Sequence, residues 1–192
     1  MKKIYMIIAY LITQFVWCQT PILPLSTYED IPIGAYLKDL DNVLLPYIGT
    51  WEGTLNNKKY TFVFVKFPQH DNFGEYYIDE LMCNFRVVNL VTGSIIYDNL
   101  GATNYGDYRI NTSRPFRGLL HCYFIDTDEN CKNSLEFYMR NINGQPNKLT
   151  YYDFRYSESW GDLSIGLNCN DFSDRMEIPV FLPRQDLILT KL

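Results

Sequence analysis

From Thr50 to the C-terminus, apolar and polar residues alternate along most of the chain, and this period of two predicts half-buried β-strands. The clearest segment is Tyr60–Phe67, which consists mainly of aromatic and β-branched residues. The polar turn Asn56–Lys59 separates it from Thr50–Leu55. We therefore predict that these two segments form an antiparallel hairpin.

Further segments with the same pattern bring the expected total to roughly eight to ten strands. The strongest of them are Gly74–Leu81, Met82–Leu90, Gly118–Ile125, Ser134–Ile142, Lys148–Tyr156 and Asp186–Thr190. The first two are candidates for one long bent strand. The short turns Asp126–Glu129 and Asn143–Pro146 force neighbouring strands to run antiparallel. The sequence thus predicts an all-β fold, an up-and-down meander that forms a barrel or a strongly curled sheet.

The chain divides into three parts by pattern. Residues 1–18 are predicted to be a signal peptide. Residues 19–48 are predicted to form an extended arm with one short helix, and residues 49–192 a single β-barrel domain. A chain of 192 residues is long enough to bury one substantial core.

The short helix is predicted within Ala35–Leu45. Leu37, Leu40 and Leu44 lie near helical spacing there, and Pro46 ends the segment.

The first residues have the features of a secretory signal. Lys2 and Lys3 form a positive start, and Ile4–Trp17 is apolar apart from two polar residues. Cys18 is small enough for signal-peptidase cleavage before Gln19, and the apolar stretch is too short for a membrane span. The protein is therefore expected to be secreted or periplasmic.

Cys18 also offers a second interpretation, the lipidated cysteine of an outer-membrane lipoprotein. The bulky Trp17 before it makes this the less favoured one, because such sites place a small residue there. After signal cleavage we expect no transmembrane span, because nothing else in the sequence is long and apolar enough.

Composition supports β-structure and excludes one class of partner. Aromatic residues make up 16% of the chain, with 16 Tyr and 12 Phe. Charged residues make up 20%, and the net charge is −5 without a cluster of Lys or Arg. Nucleic-acid binding needs such clusters to neutralise phosphates, so we expect no nucleic-acid partner.

Four cysteines remain after Cys18: Cys83, Cys122, Cys131 and Cys169. An even number in an oxidising compartment permits disulfides, and four cysteines allow three pairings. If Asp126-Thr127 is a two-residue turn, Cys122 and Cys131 become directly opposed residues, which makes them the favoured disulfide. The alternative is that all four are buried thiols.

Known catalytic and metal-binding patterns are missing from the sequence. There are two histidines, His70 and His121, too few for a histidine-based zinc site. Asp126-x-Asp128-x-Asn130 begins like a calcium loop but lacks the required glycine and the final acid. We therefore predict no metal site, no cofactor and no enzymatic activity.

Two weaker candidates are also set aside. Ser164 lacks the flanking glycines of a nucleophile elbow. Glu75, Asp79 and Glu80 lie close together in the sequence and are expected to form a solvated strand face rather than an acid pair.

Several segments together resemble an uncharacterised family of secreted proteins from flavobacterial-type bacteria, a family without an assigned function. They are Pro24–Pro32, Leu40–Asn42, Gly49–Thr54 and Asp186–Lys191, and the sequence Cys18-Gln19-Thr20 is also typical of that group. The resemblance covers nearly the whole chain but implies no catalytic residue.

More distantly, Gly49-x-Trp51 before a β-meander resembles the opening of lipocalin-like proteins. The resemblance implies that Trp51 closes the base of the barrel and that a basic side chain near the last strand, Arg184 or Lys191, packs across it as a cation–π pair. The resemblance thus implies structural roles for four residues: Gly49, Trp51, Arg184 and Lys191.

The leading functional prediction is a secreted, monomeric, non-enzymatic lipocalin-like barrel that binds a small apolar ligand or simply presents loops. The alternative is a protein-interaction or inhibitor module. Such a module would present an exposed aromatic patch or a long loop, and Gly101–Pro115 and Ser157–Pro179 are the candidate loops.

Overall fold

The computed structural model of the protein describes residues 20–125, 134–156 and 180–192. The predictions for the signal peptide, for Asp126–Cys131, for Ser164 and for Cys169 lie outside these residues. The described strands are β1 (Ile22–Pro24), β2 (Tyr36–Lys38), β3 (Gly49–Leu55), β4 (Lys58–Asn72), β5 (Tyr76–Asn89), β6 (Ile95–Asp98), β7 (Ile110–Thr112), β8 (Leu119–Ile125), β9 (Ser134–Ile142), β10 (Gln145–Tyr156) and β11 (Leu187–Lys191). A single turn of 3₁₀-helix covers Tyr105–Asp107.

Eight of these strands close into a barrel in the order β3, β4, β5, β7, β8, β9, β10, β11 and back to β3. Every pairing around the ring is antiparallel. The last strand completes the ring by placing Thr190 opposite Glu52 and Lys191 opposite Trp51. The predicted all-β, up-and-down barrel of lipocalin-like type is therefore confirmed, and β5 confirms the single long strand expected over residues 74–90.

Three short strands share one edge of β5, because β4 occupies the whole of the other edge. β2 runs parallel to β5 at Tyr77 and Ile78, and β6 runs antiparallel at Arg86–Val88. Between them, β7 pairs with β5 only at Met82 and Cys83. β5 and β7 thus pair over only two residues in each strand, and the two strands separate beyond this short contact.

The prediction of a short helix within Ala35–Leu45 is wrong. Tyr36 and Leu37 pair in the sheet with β1 on one side and β5 on the other. The Asp39 carboxylate then accepts the N–H groups of Val43 and Leu44, at 2.7 and 3.3 Å, in place of the carbonyls that a helix would supply. Such local carboxylate bonds compete with helix formation.

The leucine spacing within this segment also does not mark one buried face. Leu37 and Leu44 are buried, whereas Leu40 is 51% exposed. Within the described ranges, no helical segment has the length and hydropathy of a membrane span.

A buried ionic cluster fastens this N-terminal segment to the barrel. Lys66 Nζ lies 2.9 Å from Asp79 Oδ2 and 3.4 Å from Asp39 Oδ2, and the Tyr36 hydroxyl donates to Asp79 Oδ1 at 2.5 Å. The backbone N–H groups of Asp39 and Gln69 also donate to Asp79. The expectation of a solvated acidic strand face is therefore wrong for Asp79, which is 2% exposed because Lys66 and Tyr36 satisfy its charge.

These contacts shift the ionisation of the cluster. Burial alone would raise the pKa of Asp79, but the hydrogen bonds from Lys66, Tyr36 and two backbone N–H groups outweigh it and hold the pKa below its ordinary 3.8. Burial and the bond to Asp79 raise the pKa of Tyr36 to about 12. Around neutral pH, Asp79 is thus a carboxylate and Lys66 is an ammonium group.

The predicted register of the hairpin after β8 is also wrong. Ile125 pairs with Ser134 and Cys122 with Phe137, whereas a two-residue turn at Asp126-Thr127 would pair them with Asp128 and Cys131. Cys131 lies outside the described residues, and the Cys122 thiol is free in the structure. The geometric argument for a Cys122–Cys131 disulfide therefore does not hold.

Gly53 lies in close contact with β11 where β3 and β11 close the barrel. A Cβ atom there would lie 2.8 Å from the Ile188 carbonyl oxygen and 2.9 Å from Leu189 Cδ2. We expect Gly53→Ala to destabilise the protein by about 1–3 kcal/mol, as overpacking does. Urea unfolding followed by circular dichroism measures this, with Gly101→Ala as the control because nothing lies within 4 Å of a Cβ at Gly101. Equal unfolding midpoints for the two variants would contradict the predicted closure.

Candidate ligand-binding site

The residues that the sequence marked as structural lie where β3 and β11 close the barrel. Trp51 is fully buried, and its indole N–H donates to the Tyr47 carbonyl at 2.7 Å. Lys191 Nζ lies 5.2 Å from the centroid of the Trp51 ring, and its side chain also covers Gly49, where a Cβ would lie 3.0 Å from Lys191 Cε. Arg184 is exposed. Of the two basic candidates, the structure thus places Lys191 against the tryptophan.

Aromatic side chains occupy the middle of the barrel interior. Phe62 lies 5.8 Å from Phe85 and 6.0 Å from Tyr151, and Phe137 lies 4.6 Å from Tyr151, all measured between ring centroids. All four side chains are fully buried. The Tyr151 hydroxyl donates to the Pro183 carbonyl, which satisfies its polar end. These rings pack against one another in the interior, the region where an open barrel holds its ligand.

The two described cysteines are buried thiols that face the same interior. Burial raises the pKa of both Cys83 and Cys122 well above the ordinary value. A thiol needs a lowered pKa to act as a nucleophile, so neither side chain has the environment of a catalytic cysteine.

The larger of two neighbouring cavities is on the outside of the barrel. This outer cleft is open to solvent, has a volume of about 430 Å³, and is lined by Tyr28, Ser113, Arg114, Phe116, His121 and Tyr123. Tyr28 and Phe116 are 51% and 56% exposed, and their rings meet edge to face at 6.4 Å. The cleft therefore offers apolar ring surface beside hydroxyl, imidazole and guanidinium groups, a combination typical of ligand sites.

Arg114 is held rigidly at the centre of this cleft. Its Nη1 donates to the carbonyls of Leu25 and Thr27, at 3.3 and 2.5 Å, and its guanidinium carbon lies 4.2 Å from the centroid of the Tyr28 ring. These contacts join the loop after β1 to the segment after β7. The donors of Arg114 that remain are consequently fixed in direction before a ligand arrives.

His121 forms the border between the outer cleft and a ladder of rings on the outer face of the sheet. It lies opposite Tyr138, which lies opposite Tyr152. The His121 and Tyr138 rings stack nearly parallel at 4.5 Å, and His121 Nε2 lies 3.1 Å from Glu136 Oε2. Because these rings face each other, the ladder stabilises the sheet through cross-strand pairs and does not offer free ring faces.

A smaller cavity, the inner pocket, adjoins the outer cleft. It has a volume of about 210 Å³ and is more enclosed. It is lined by Leu44, Asn72, Tyr76, Ile78–Leu81 and Thr112–Arg114. The pocket lies where β5 and β7 separate after their short contact, and the Thr112 hydroxyl bridges the start of that gap by donating to the Leu81 carbonyl at 2.8 Å. Ser113 and Arg114 line both cavities.

Within the described ranges, no group of three or more potential metal-ligating side chains comes together. The outer cleft was only partly indicated by the sequence. Ser113 and Arg114 lie in the loop Gly101–Pro115 that was predicted as an interaction loop. The sequence did not indicate that Tyr28 and Phe116 form a site. Their rings come together only because β1 pairs with β2 and β2 pairs with β5.

The sequence profile of a "Family of unknown function (DUF6705)" matches residues 1–192. The chain belongs to this family. No curated protein and no solved structure matches it. Membership in DUF6705 confirms the predicted relationship to a family without an assigned function, whereas the flavobacterial-type origin and the secretion implied by the resemblance stay predictions.

Proposed function

We propose that the protein is a monomeric, non-enzymatic binding protein that holds a small amphipathic ring compound in the outer cleft. The single observation that carries this proposal is a contacting pair of half-exposed rings, Tyr28 and Phe116, in one cleft with Arg114, which stacks on Tyr28 and is already fixed by backbone carbonyls. An apolar face of the ligand would pack on the rings. Its polar edge would receive hydrogen bonds from Arg114, Ser113 and Tyr123.

The packed barrel interior favours a ligand in the outer cleft over the alternative that the sequence suggested, an apolar ligand in the lumen. A compound in the middle of the barrel would have to displace Phe62, Phe137 or their neighbours. Removing the packing of one such buried ring costs about 3–5 kcal/mol. The outer cleft requires no displacement of this kind.

We infer further that the protein acts outside the cytoplasm, on the basis of the signal-like residues 1–18. Intact-mass measurement of the protein from its own host tests this inference. A mature chain that starts at Gln19 is the expected result, and a lipid on Cys18 would indicate the lipoprotein alternative. A full-length chain with Met1 would contradict both.

Phe116→Ala is expected to weaken ligand binding in the outer cleft about tenfold, because truncation of a central interface aromatic removes more than about 1 kcal/mol. Native mass spectrometry of the protein purified from its own host detects a small bound mass directly. Leu90→Ala is the matched control, since Leu90 is 51% exposed and does not line the cleft. Equal retention of the bound mass by both variants would contradict the proposal.

A second candidate function is the protein-interaction or inhibitor module. The observation that favours it is the exposure of Tyr28 and Phe116 beside Arg114, since tyrosine and arginine are typical of interface hot spots. The same mass spectra distinguish the two functions, because a macromolecular partner would add a protein-sized mass that Phe116→Ala removes.

A further inference from the structure

We propose that the outer cleft and the inner pocket are adjacent subsites for one saccharide chain, and that the terminal sugar ring occupies the inner pocket. This inference rests on the proposed function and specifies its ligand. Ser113 and Arg114 line both cavities, so the cleft and the pocket lie directly next to each other. The pocket is the smaller and more enclosed of the two, which suits an end group rather than a continuing chain.

The lining of the inner pocket favours a neutral polyhydroxyl ring. Asn72, Thr112 and Ser113 carry groups that can both donate and accept hydrogen bonds, while the half-buried Tyr76 supplies ring surface. A sugar ring presents hydroxyl groups of both kinds around an apolar C–H face. It can therefore satisfy the polar side chains and pack on the Tyr76 ring at the same time.

Other ligand chemistries fit this pocket less well. An alkyl chain would bury Asn72 and the second oxygen of the Glu80 carboxylate without partners, which costs free energy for each unpaired group. An anionic end group would meet the carboxylates of Asp79 and Glu80, and an ammonium group would meet the guanidinium of Arg114. A neutral ring with hydroxyl groups avoids each of these costs.

Glu80 is the residue to which we assign recognition of the terminal ring. The other pocket carboxylate, Asp79, is already engaged by Lys66, Tyr36 and two backbone N–H groups. Among the described contacts, Glu80 accepts one hydrogen bond, from the Tyr105 hydroxyl to Oε2 at 2.7 Å. Its Oε1 is thus available to accept a sugar hydroxyl, while the Tyr105 bond fixes the orientation of the carboxylate.

The test uses an array of mono- to tetrasaccharides of glucose, N-acetylglucosamine, galactose, mannose and xylose, attached through the reducing end. The tightest disaccharide on the array is then measured by isothermal titration calorimetry. We expect Glu80→Gln to weaken its binding about tenfold, because the variant loses a hydrogen bond to a charged acceptor. Glu75→Gln is the matched control, since Glu75 is exposed and does not line either cavity.

The outcomes separate this inference from the proposed function. If saccharides bind and Phe116→Ala weakens them while Glu80→Gln does not, the cleft is a site but the inner pocket is not its subsite. If no saccharide on the array binds while a small mass still co-purifies and depends on Phe116, the saccharide assignment is wrong and the proposed function stands. If neither is found, both fail. If Glu80→Gln lowers the melting temperature, Asn72→Ala is used in its place. It is likewise expected to weaken binding of the disaccharide about tenfold, and unchanged binding would contradict the inference.

Discussion

Replacement of Trp51 by alanine is expected to lower the free energy of unfolding by about 3–5 kcal/mol, the range found for large aromatic truncations in protein cores. The side chain is fully buried, its N–H bond to the Tyr47 carbonyl is satisfied, and Lys191 packs over its ring. The variant loses this packing at the point where β3 and β11 close the barrel. It also leaves the Tyr47 carbonyl without its donor.

Urea denaturation followed by far-ultraviolet circular dichroism measures this effect without relying on tryptophan fluorescence. Trp51→Phe is the matched control, because it retains most of the ring and loses only the N–H donor and part of the volume. We expect the control to be destabilised by about 1–2 kcal/mol. An alanine variant within about 1 kcal/mol of the wild type would show that the core is organised around other residues.

The second large effect is expected for Lys66→Met, which removes the only cation that contacts Asp39 and Asp79 among the described salt bridges. Two buried carboxylates would then face each other without a counter-charge. Breaking a fully buried ion pair costs about 3–5 kcal/mol, and we expect about 2–4 kcal/mol here because the Lys66 side chain is 29% exposed.

The matched control for this substitution lies on the same strand. Lys59 forms an exposed pair with Glu52, at 3.2 Å. Lys59→Met is therefore expected to change stability by less than about 1 kcal/mol. Similar losses in the two variants would contradict a special role for the buried cluster.

The destabilisation by Lys66→Met is also expected to depend on pH. A carboxyl group with a lowered pKa stabilises the fold above its unfolded-state pKa, near 3.8, and this stabilisation is lost as the pH falls through the lower folded-state value. The stability difference between wild type and Lys66→Met should therefore be full near neutral pH and shrink below about pH 4. Denaturation curves at pH 7 and pH 3 test this, and an unchanged difference would contradict the assigned ionisation.

The alternation of apolar and polar residues predicted the barrel strands because each of them has one buried face. Tyr60, Phe62 and Phe64 alternate into the core with little exposure, and this local period survives in any register. The pattern could not predict how β8 pairs with β9. Their register depends on the partner strand, and pairing Cys122 with Cys131 or with Phe137 leaves the same alternation in Cys122–Ile125.

The N-terminal segment and the candidate site depended on contacts between distant residues. Leu37 and Leu44 have the spacing of a helical face. However, Leu37 lies in β2, and Leu44 lies in the turn that the Asp39 carboxylate stabilises. Asp79 looked like a surface acid because its partners, Tyr36 and Lys66, come from two other strands. Tyr28 and Phe116 lie far apart in the chain, and only the sheet topology brings them together.

The central claim is that the ligand lies on the outside of a barrel whose middle is packed with rings. Hydrogen–deuterium exchange, comparing the protein as isolated from its host with the same protein stripped of bound small molecules, tests it most directly. We predict that the bound form protects amides in residues 25–28 and 112–123, with little change in residues 60–65 and in β10. Protection concentrated in residues 60–65 and β10, without change in residues 25–28 and 112–123, would place the ligand in the lumen and contradict the proposed outer site.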